Sequence, residues 1–135
     1  MFKSLILVIF IVLLAGCVST TITPLPADSF IMTSKDPTYG FNEQNPVELG
    51  GFLRGSKYEG AHVEYFQSLL GPNGEQVQVK RLGSCCAFED SSMPFGGGLL
   101  DMYELTYKGI SKPIIIYVNL YKFVKPMAPQ GFALQ

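Results

Sequence analysis

The chain has 135 residues, three cysteines, no tryptophan and a formal charge of −1, from ten Lys/Arg against eleven Asp/Glu. That length suits one small domain with a single core, and the lack of a basic block excludes the electrostatic footprint of a nucleic-acid-binding protein. The mean hydropathy of +0.24 is raised by one N-terminal run and does not mark a membrane-spanning protein.

Lys3 precedes an unbroken apolar run, Leu5 to Leu14, which is followed by Ala15, Gly16 and Cys17. A positive start, a short apolar core and small residues before a cut site predict a secretory signal peptide. The run is too short to span a bilayer, which takes about 20 apolar residues. Leu14-Ala15-Gly16-Cys17 resembles the lipobox of bacterial lipoproteins. The resemblance implies removal of residues 1–16, a diacylated sulfur and an acylated amine on Cys17, palmitate among the chains, and a membrane partner reached through them. Two or three acyl chains meet the two-signal requirement for stable anchoring. Val18 follows Cys17. In enteric-type sorting an Asp there retains a lipoprotein in the inner membrane, so Val implies the periplasmic face of the outer membrane. A Gram-positive source would place the protein on the plasma-membrane surface instead. The processed chain would have 119 residues, with nine Lys/Arg against eleven Asp/Glu.

Residues 17–29, the lipidated cysteine and a small polar stretch with Pro24 and Pro26, read as a tether. Residues 30–135 are expected to form a single domain. Phe30 to Thr33 predicts a short strand. Lys35 to Pro46 is turn-rich, with Asp36-Pro37 and Asn45-Pro46. Val47 to Leu53 predicts a strand interrupted at Gly50-Gly51.

Lys57 to Leu70 predicts the one clear helix. Ser56 and Glu59 have the S-x-x-E spacing of a capping box. Tyr58, Ala61, His62, Tyr65, Phe66, Leu69 and Leu70 recur at three- and four-residue steps. Gly71-Pro72 stops the helix and Pro72-Asn73-Gly74 turns the chain. Gln76 to Leu82 alternates as a half-buried strand, and Gly83 to Gly98 reads as a long loop. Leu99 to Tyr107 predicts a strand with Leu99, Tyr103, Leu105 and Tyr107 on one face. Asp101 is the misfit on that face and is assigned to the strand edge. Ile114 to Phe123 is the strongest strand, apolar on both faces, so it is expected at the centre of the sheet. Val124 to Gln135 reads as irregular. The expected fold is α+β: one amphipathic helix on a small antiparallel sheet, in two layers, with the helix stripe over Ile114, Ile116, Val118 and Leu120.

Cys85-Cys86 is the most unusual feature, since lipidation would consume only Cys17. Adjacent α-carbons lie about 3.8 Å apart across a trans peptide, below the usual disulfide range of about 4.4–6.8 Å. Two readings stand: a vicinal disulfide serving as a redox pair, or a structural pair with at least one sulfur buried; we take the structural one. On either reading the two cysteines are expected near one end of the strand that starts at Gln76, where Gly83 and the long loop let the backbone turn. His62, the only histidine, would complete a set of three metal-compatible ligands with the two cysteines, but no zinc spacing is present. We therefore assign no metal and no cofactor. Its alternative is a packed ring with one hydrogen-bond partner. Glu89, Asp90, Ser91 and Ser92 read as a solvated loop. Tyr117, Tyr121 and Phe123 would form a partner patch if the odd face of the last strand were uncovered; we take the covered arrangement.

Thr38 to Phe52, Gly71 to Gly74 and Lys80 to Cys86 together resemble a family of small bacterial lipoproteins of unassigned function that carry a Gly-Ser-Cys-Cys motif. Some members bear the label 2-dehydro-3-deoxyphosphooctonate aldolase. A (β/α)₈ aldolase barrel takes about 250 residues, so a chain with one helix argues against that activity. No nucleophile or acid–base constellation can be named. The expectation is a non-enzymatic binding or structural module of the envelope, acting on a protein partner. The alternatives are a redox- or metal-responsive module centred on Cys85 and Cys86, and an enzyme of unknown type.

Overall fold

The computed structural model describes residues 32–135. The expected signal peptide, Cys17, the tether and the first half of the Phe30–Thr33 strand lie outside the described residues. Thr33 makes an isolated parallel bridge with Ala128.

The fold is α+β, with one helix and a mostly antiparallel sheet. The elements are β1 (Val47–Glu48), α1 (Ala61–Ser68), β2 (Leu69–Leu70), β3 (Gln78–Glu89), β4 (Gly97–Thr106), β5 (Ile114–Asn119) and β6 (Ala133–Leu134). The main sheet has the order β1-β5-β4-β3. β1 runs parallel to β5, while β5–β4 and β4–β3 are antiparallel. β2 and β6 form a separate antiparallel pair. Among the described residues no helix is long and apolar enough to cross a membrane.

The apolar alternation of β4 and β5 sets the core. Tyr103 pairs with Ile116, and Leu105 with Ile114, which puts these side chains on one face. Leu105, Ile116 and Val118 have no exposed surface. They share one buried cluster with Val47, Leu49 and Leu120, with Tyr65 and Leu69 from the helical region, and with Ala128, Phe132 and Leu134 from the tail. Tyr65 also donates its hydroxyl to the Met127 carbonyl at 3.0 Å.

Several boundaries differ from those expected. The helix starts at Ala61, four residues late. Gly60 precedes it at φ 78°, and no side chain caps its N-terminus. Glu59 turns back to accept the Gly55 amide at 2.6 Å, and the Ser56 carbonyl accepts the Glu59 amide. The capping-box residues thus build the turn before the helix. The helix ends at Ser68, because Leu69 swings to ψ 129° and pairs with Leu134. Helical spacing cannot separate these outcomes, since Leu69 and Leu70 are buried either way.

The largest correction concerns the long loop expected over Gly83–Gly98. β3 continues through it to Glu89, and β4 begins at Gly97, so only residues 90–96 form the connection. Two irregularities hide the strand from an alternation test. Pairing passes from Arg81↔Tyr103 directly to Gly83↔Met102, and from Ser84↔Asp101 to Ala87↔Leu99. Each leaves an extra β3 residue and inverts the alternation beyond it. β5 stops at Asn119, four residues early. The Asn119 Oδ1 accepts the amides of Tyr121 and Lys122 at 2.9 and 3.1 Å, which turns the chain out of the sheet. The tail is not wholly irregular: Ala133–Leu134 is a strand, and Ala128, Phe132, Ala133 and Leu134 are buried.

Leu105→Ala removes a fully buried side chain from the centre of this cluster. It is expected to cost about 2–5 kcal/mol, read as a lowered urea midpoint with an unchanged slope. A change under about 0.5 kcal/mol, the range of surface substitutions, would contradict this core.

Candidate functional site

Asp101 lies in mid-strand and not at the sheet edge. Its register opposite Val118 and between Tyr103 and the bulge places the carboxylate on the core face. The residue is only 6% exposed. Such a charge is tolerated only when paired and hydrogen-bonded. Arg81 reaches across from β3: its Nε meets Oδ2 at 2.7 Å and a terminal nitrogen meets Oδ1 at 2.9 Å. The Ser84 hydroxyl donates to Oδ1 at 2.7 Å and accepts from Arg81 at 2.9 Å. Burial alone would raise the Asp101 carboxyl, but Arg81 and Ser84 more than offset that and hold it below the ordinary carboxylate value. The Asp101 carboxylate raises the Arg81 guanidinium in turn.

Cys85 and Cys86 follow Ser84 directly and are bonded to each other. They lie within β3, and not at its end, as the two residues that oppose Leu100 alone in the second bulge. Adjacent side chains of a regular strand point to opposite faces. The bulge is the departure from that pleat which brings the two sulfurs together. Both cysteines are half-buried, so neither is the deeply buried thiol of the structural reading. Among the described residues β3 is also an edge strand, with β4 on one side only.

His62 does not join the cysteines. It lies along a shallow groove with Phe66, Val79, Arg81 and Tyr103. Its Nδ1 is buried without a hydrogen-bond partner and faces Gly51, where a Cβ would collide with it. Among the described residues no group of three or more His, Cys, Asp or Glu side chains is placed to hold a metal ion.

The connection after β3 is braced, not merely solvated. The Asp90 amide donates to the Gly96 carbonyl at 2.8 Å, and the Asp90 carbonyl accepts the Met93 amide at 3.0 Å. Asp90 Oδ1 accepts both the amide and the hydroxyl of Ser92, at 2.9 and 2.6 Å. Its Oδ2 pairs with Lys122 Nζ, just beyond β5. Lys122 first, and then Ser92, lower the Asp90 carboxyl from the ordinary 3.8 to about 2. At the apex of this turn Phe95 is 97% exposed. Composition and spacing do not single out Phe95; only the closed hairpin places it at a tip.

Tyr117, Tyr121 and Phe123 are all half-buried and do not form one open patch. The Tyr121 ring sits 5.3 Å from Phe52 and 5.8 Å from Phe88. Phe123 stacks on Tyr58 at 4.1 Å and 11°. The Tyr117 amide donates to the Gly40 carbonyl at 2.8 Å. The partial cover of Tyr121 and Phe123 thus comes from Phe52, Phe88 and Tyr58. A scan of protein-family models, a search of curated proteins and a search of solved structures each find no match to this chain.

Two outcomes test this geometry. Arg81→Ala is expected to cost about 1–3 kcal/mol, the scale of leaving a buried acceptor unsatisfied, and adding Asp101→Asn should restore part of it, because a neutral amide costs less to bury than a carboxylate. Urea titration of the single and double variants measures both. Asp90 gives a pH signature. Its folded value lies below its unfolded one, so its contribution is complete above about pH 4 and is lost as pH falls through about 2. Asp90→Asn should flatten the loss of thermal stability across that window; an unchanged slope would remove Asp90 from the account.

Proposed function

We propose that this chain is a lipid-anchored envelope protein whose domain is a non-enzymatic binding module. Cys17 holds it on the periplasmic face of the outer membrane, and the β3–β4 hairpin presents the contact surface to a protein partner. The observation that carries the binding part is Phe95: an aromatic side chain, 97% exposed, at the apex of a turn fixed by hydrogen bonds within the turn and by the Asp90–Lys122 pair. A single exposed apolar residue is ordinary on a protein surface. Here the backbone turn beneath it is braced, so less backbone ordering is left to be met on binding. Leu99 on β4 and Leu82 on β3 are 49% and 42% exposed and extend apolar surface along the same hairpin. Aromatic anchors of this kind dominate binding energy at protein interfaces.

A second reading is favoured by the bond between Cys85 and Cys86 on an edge strand. In it the module also responds to the thiol state of its surroundings. An extracytoplasmic compartment is where a persistent disulfide is expected.

Anchoring is tested with Cys17→Ala, which is expected to abolish palmitate incorporation and leave an uncut precursor; label that persists in the variant would remove the lipoprotein reading. Binding is tested with a photoreactive residue at position 95 and, as control, at Lys112, in the full chain in intact envelopes. A discrete crosslinked species is expected from position 95 and not from position 112. Equal labelling at the two positions would count against a partner at the tip.

A further inference from the structure

The hairpin that carries Phe95 has two halves with different supports. The inner half pairs Gln78–Arg81 with Tyr103–Thr106 and is tied to the core face by Arg81, Ser84 and Asp101. The outer half pairs Ala87–Glu89 with Gly97–Leu99. It is held to the rest of the domain by the Phe88 ring against Tyr121, by Gly98 and by the Asp90–Lys122 pair. A Cβ on Gly98 would come within 2.8 Å of the Tyr121 ring and 3.1 Å of Phe88, so the outer strands pack closely against these rings. The boundary between the halves is the bulge at Cys85-Cys86.

That boundary fixes a register. One extra residue on β3 decides which face Ala87, Phe88 and Glu89 present, since a shift of one position turns every side chain over. With the sulfurs bonded, Cys85 and Cys86 cannot return to the regular pleat, so the extra residue cannot migrate along the strand. With the sulfurs free, they can.

We propose that Cys85–Cys86 is a thiol–disulfide exchange site that takes a dithiol reductant, and that its opening releases the outer half of the hairpin, with Phe95, from its fixed register. This rests on the thiol-responsive reading given above and adds what the response is. Both sulfurs belong to half-buried residues on a strand that, among the described residues, has no neighbour on its outer side, which leaves the bond open to approach from that side. A thiolate of the dithiol attacks one sulfur, the Cys85–Cys86 bond breaks, and the sulfur that leaves takes a proton. The second thiol of the reductant then resolves the mixed disulfide. The dithiol becomes its own disulfide, and two electrons and two protons reside on Cys85 and Cys86. The inner half keeps Arg81, Ser84 and Asp101 throughout, so the change stops at the bulge.

The test uses the full chain in detergent micelles, with and without dithiothreitol. Peptide mapping after alkylation counts free thiols at positions 85 and 86, and hydrogen exchange followed by mass spectrometry reads the hairpin. The expected result is two alkylated thiols together with exchange about tenfold faster across residues 86–99, the size of a local opening made cheaper by roughly 1.4 kcal/mol, while residues 101–106 and 114–119 keep their protection. Cys85→Ser/Cys86→Ser should show the fast pattern without dithiothreitol and no response to it. Failure to form thiols would overturn both the thiol-responsive reading and this inference. Two thiols with unchanged exchange over 86–99 would overturn the inference alone and leave a reducible pair. Loss of protection throughout the domain would overturn it too, because opening would then be global.

Discussion

The arrangement of the sheet depends on one buried charge. β4 lies between β3 and β5, and its alternation turns Asp101 toward the same side as Tyr103 and Leu105. A carboxylate there needs a cation and donors, and only β3 supplies them. Arg81 and Ser84 both reach Asp101 in the observed register. The first bulge, at Leu82, makes this possible: without the extra residue, Ser84 would fall opposite the wrong β4 residue and on the other face. The ion pair does not earn its place as a large net stabiliser, since desolvation offsets much of the attraction. It acts as a marker of register, because a shift of β3 against β4 breaks the contacts that Arg81 and Ser84 make with the carboxylate.

Past that pairing, the structure relies on close approach. Gly50 and Gly51 have φ of 59° and 94°, which carries the chain from β1 toward the segment before the helix. Gly51 also leaves the space in which His62 sits. Gly98 does the same for Tyr121 and Phe88. The aromatic rings are therefore not an excess waiting for a partner. Phe52, Tyr121 and Phe88 form one group, and Tyr58 with Phe123 another. Phe52 and Tyr58 remain 59% and 38% exposed at the margins of these groups, and Phe95 stands out separately at the hairpin tip.

The proposed binding surface and the proposed exchange site are linked by the geometry of one element. Phe95 sits beyond the second bulge and Asp101 before it. A covalent bond between neighbouring residues is a poor fastener for a whole fold, because it closes almost no loop. It is a good fastener for a bulge, whose position is a local matter. In the proposed exchange, a disulfide that adds little global stability would therefore act on the strand beyond the bulge and not on the whole fold.

Some of this was legible in the residues. The α+β class, the central β5, the apolar positions Tyr65, Leu69, Leu105, Ile116 and Val118, and the break at Gly50-Gly51 follow from period and punctuation, which depend on neighbours in sequence. Lipidation at Cys17 is read from sequence alone and stands as proposed above. Other features were decided by tertiary structure. The twelve-residue β3 was hidden, because two bulges break its alternation and only pairing with β4 reveals them. The helix was shorter than its spacing predicts, because Leu69 and Leu70 reach burial through a strand pairing with residues more than sixty positions away. Asp101 looked misplaced because its partners, Arg81 and Ser84, are remote in sequence and meet it only across the sheet. Local spacing reports what a segment can bury; which surface it is buried against is a property of the assembled sheet.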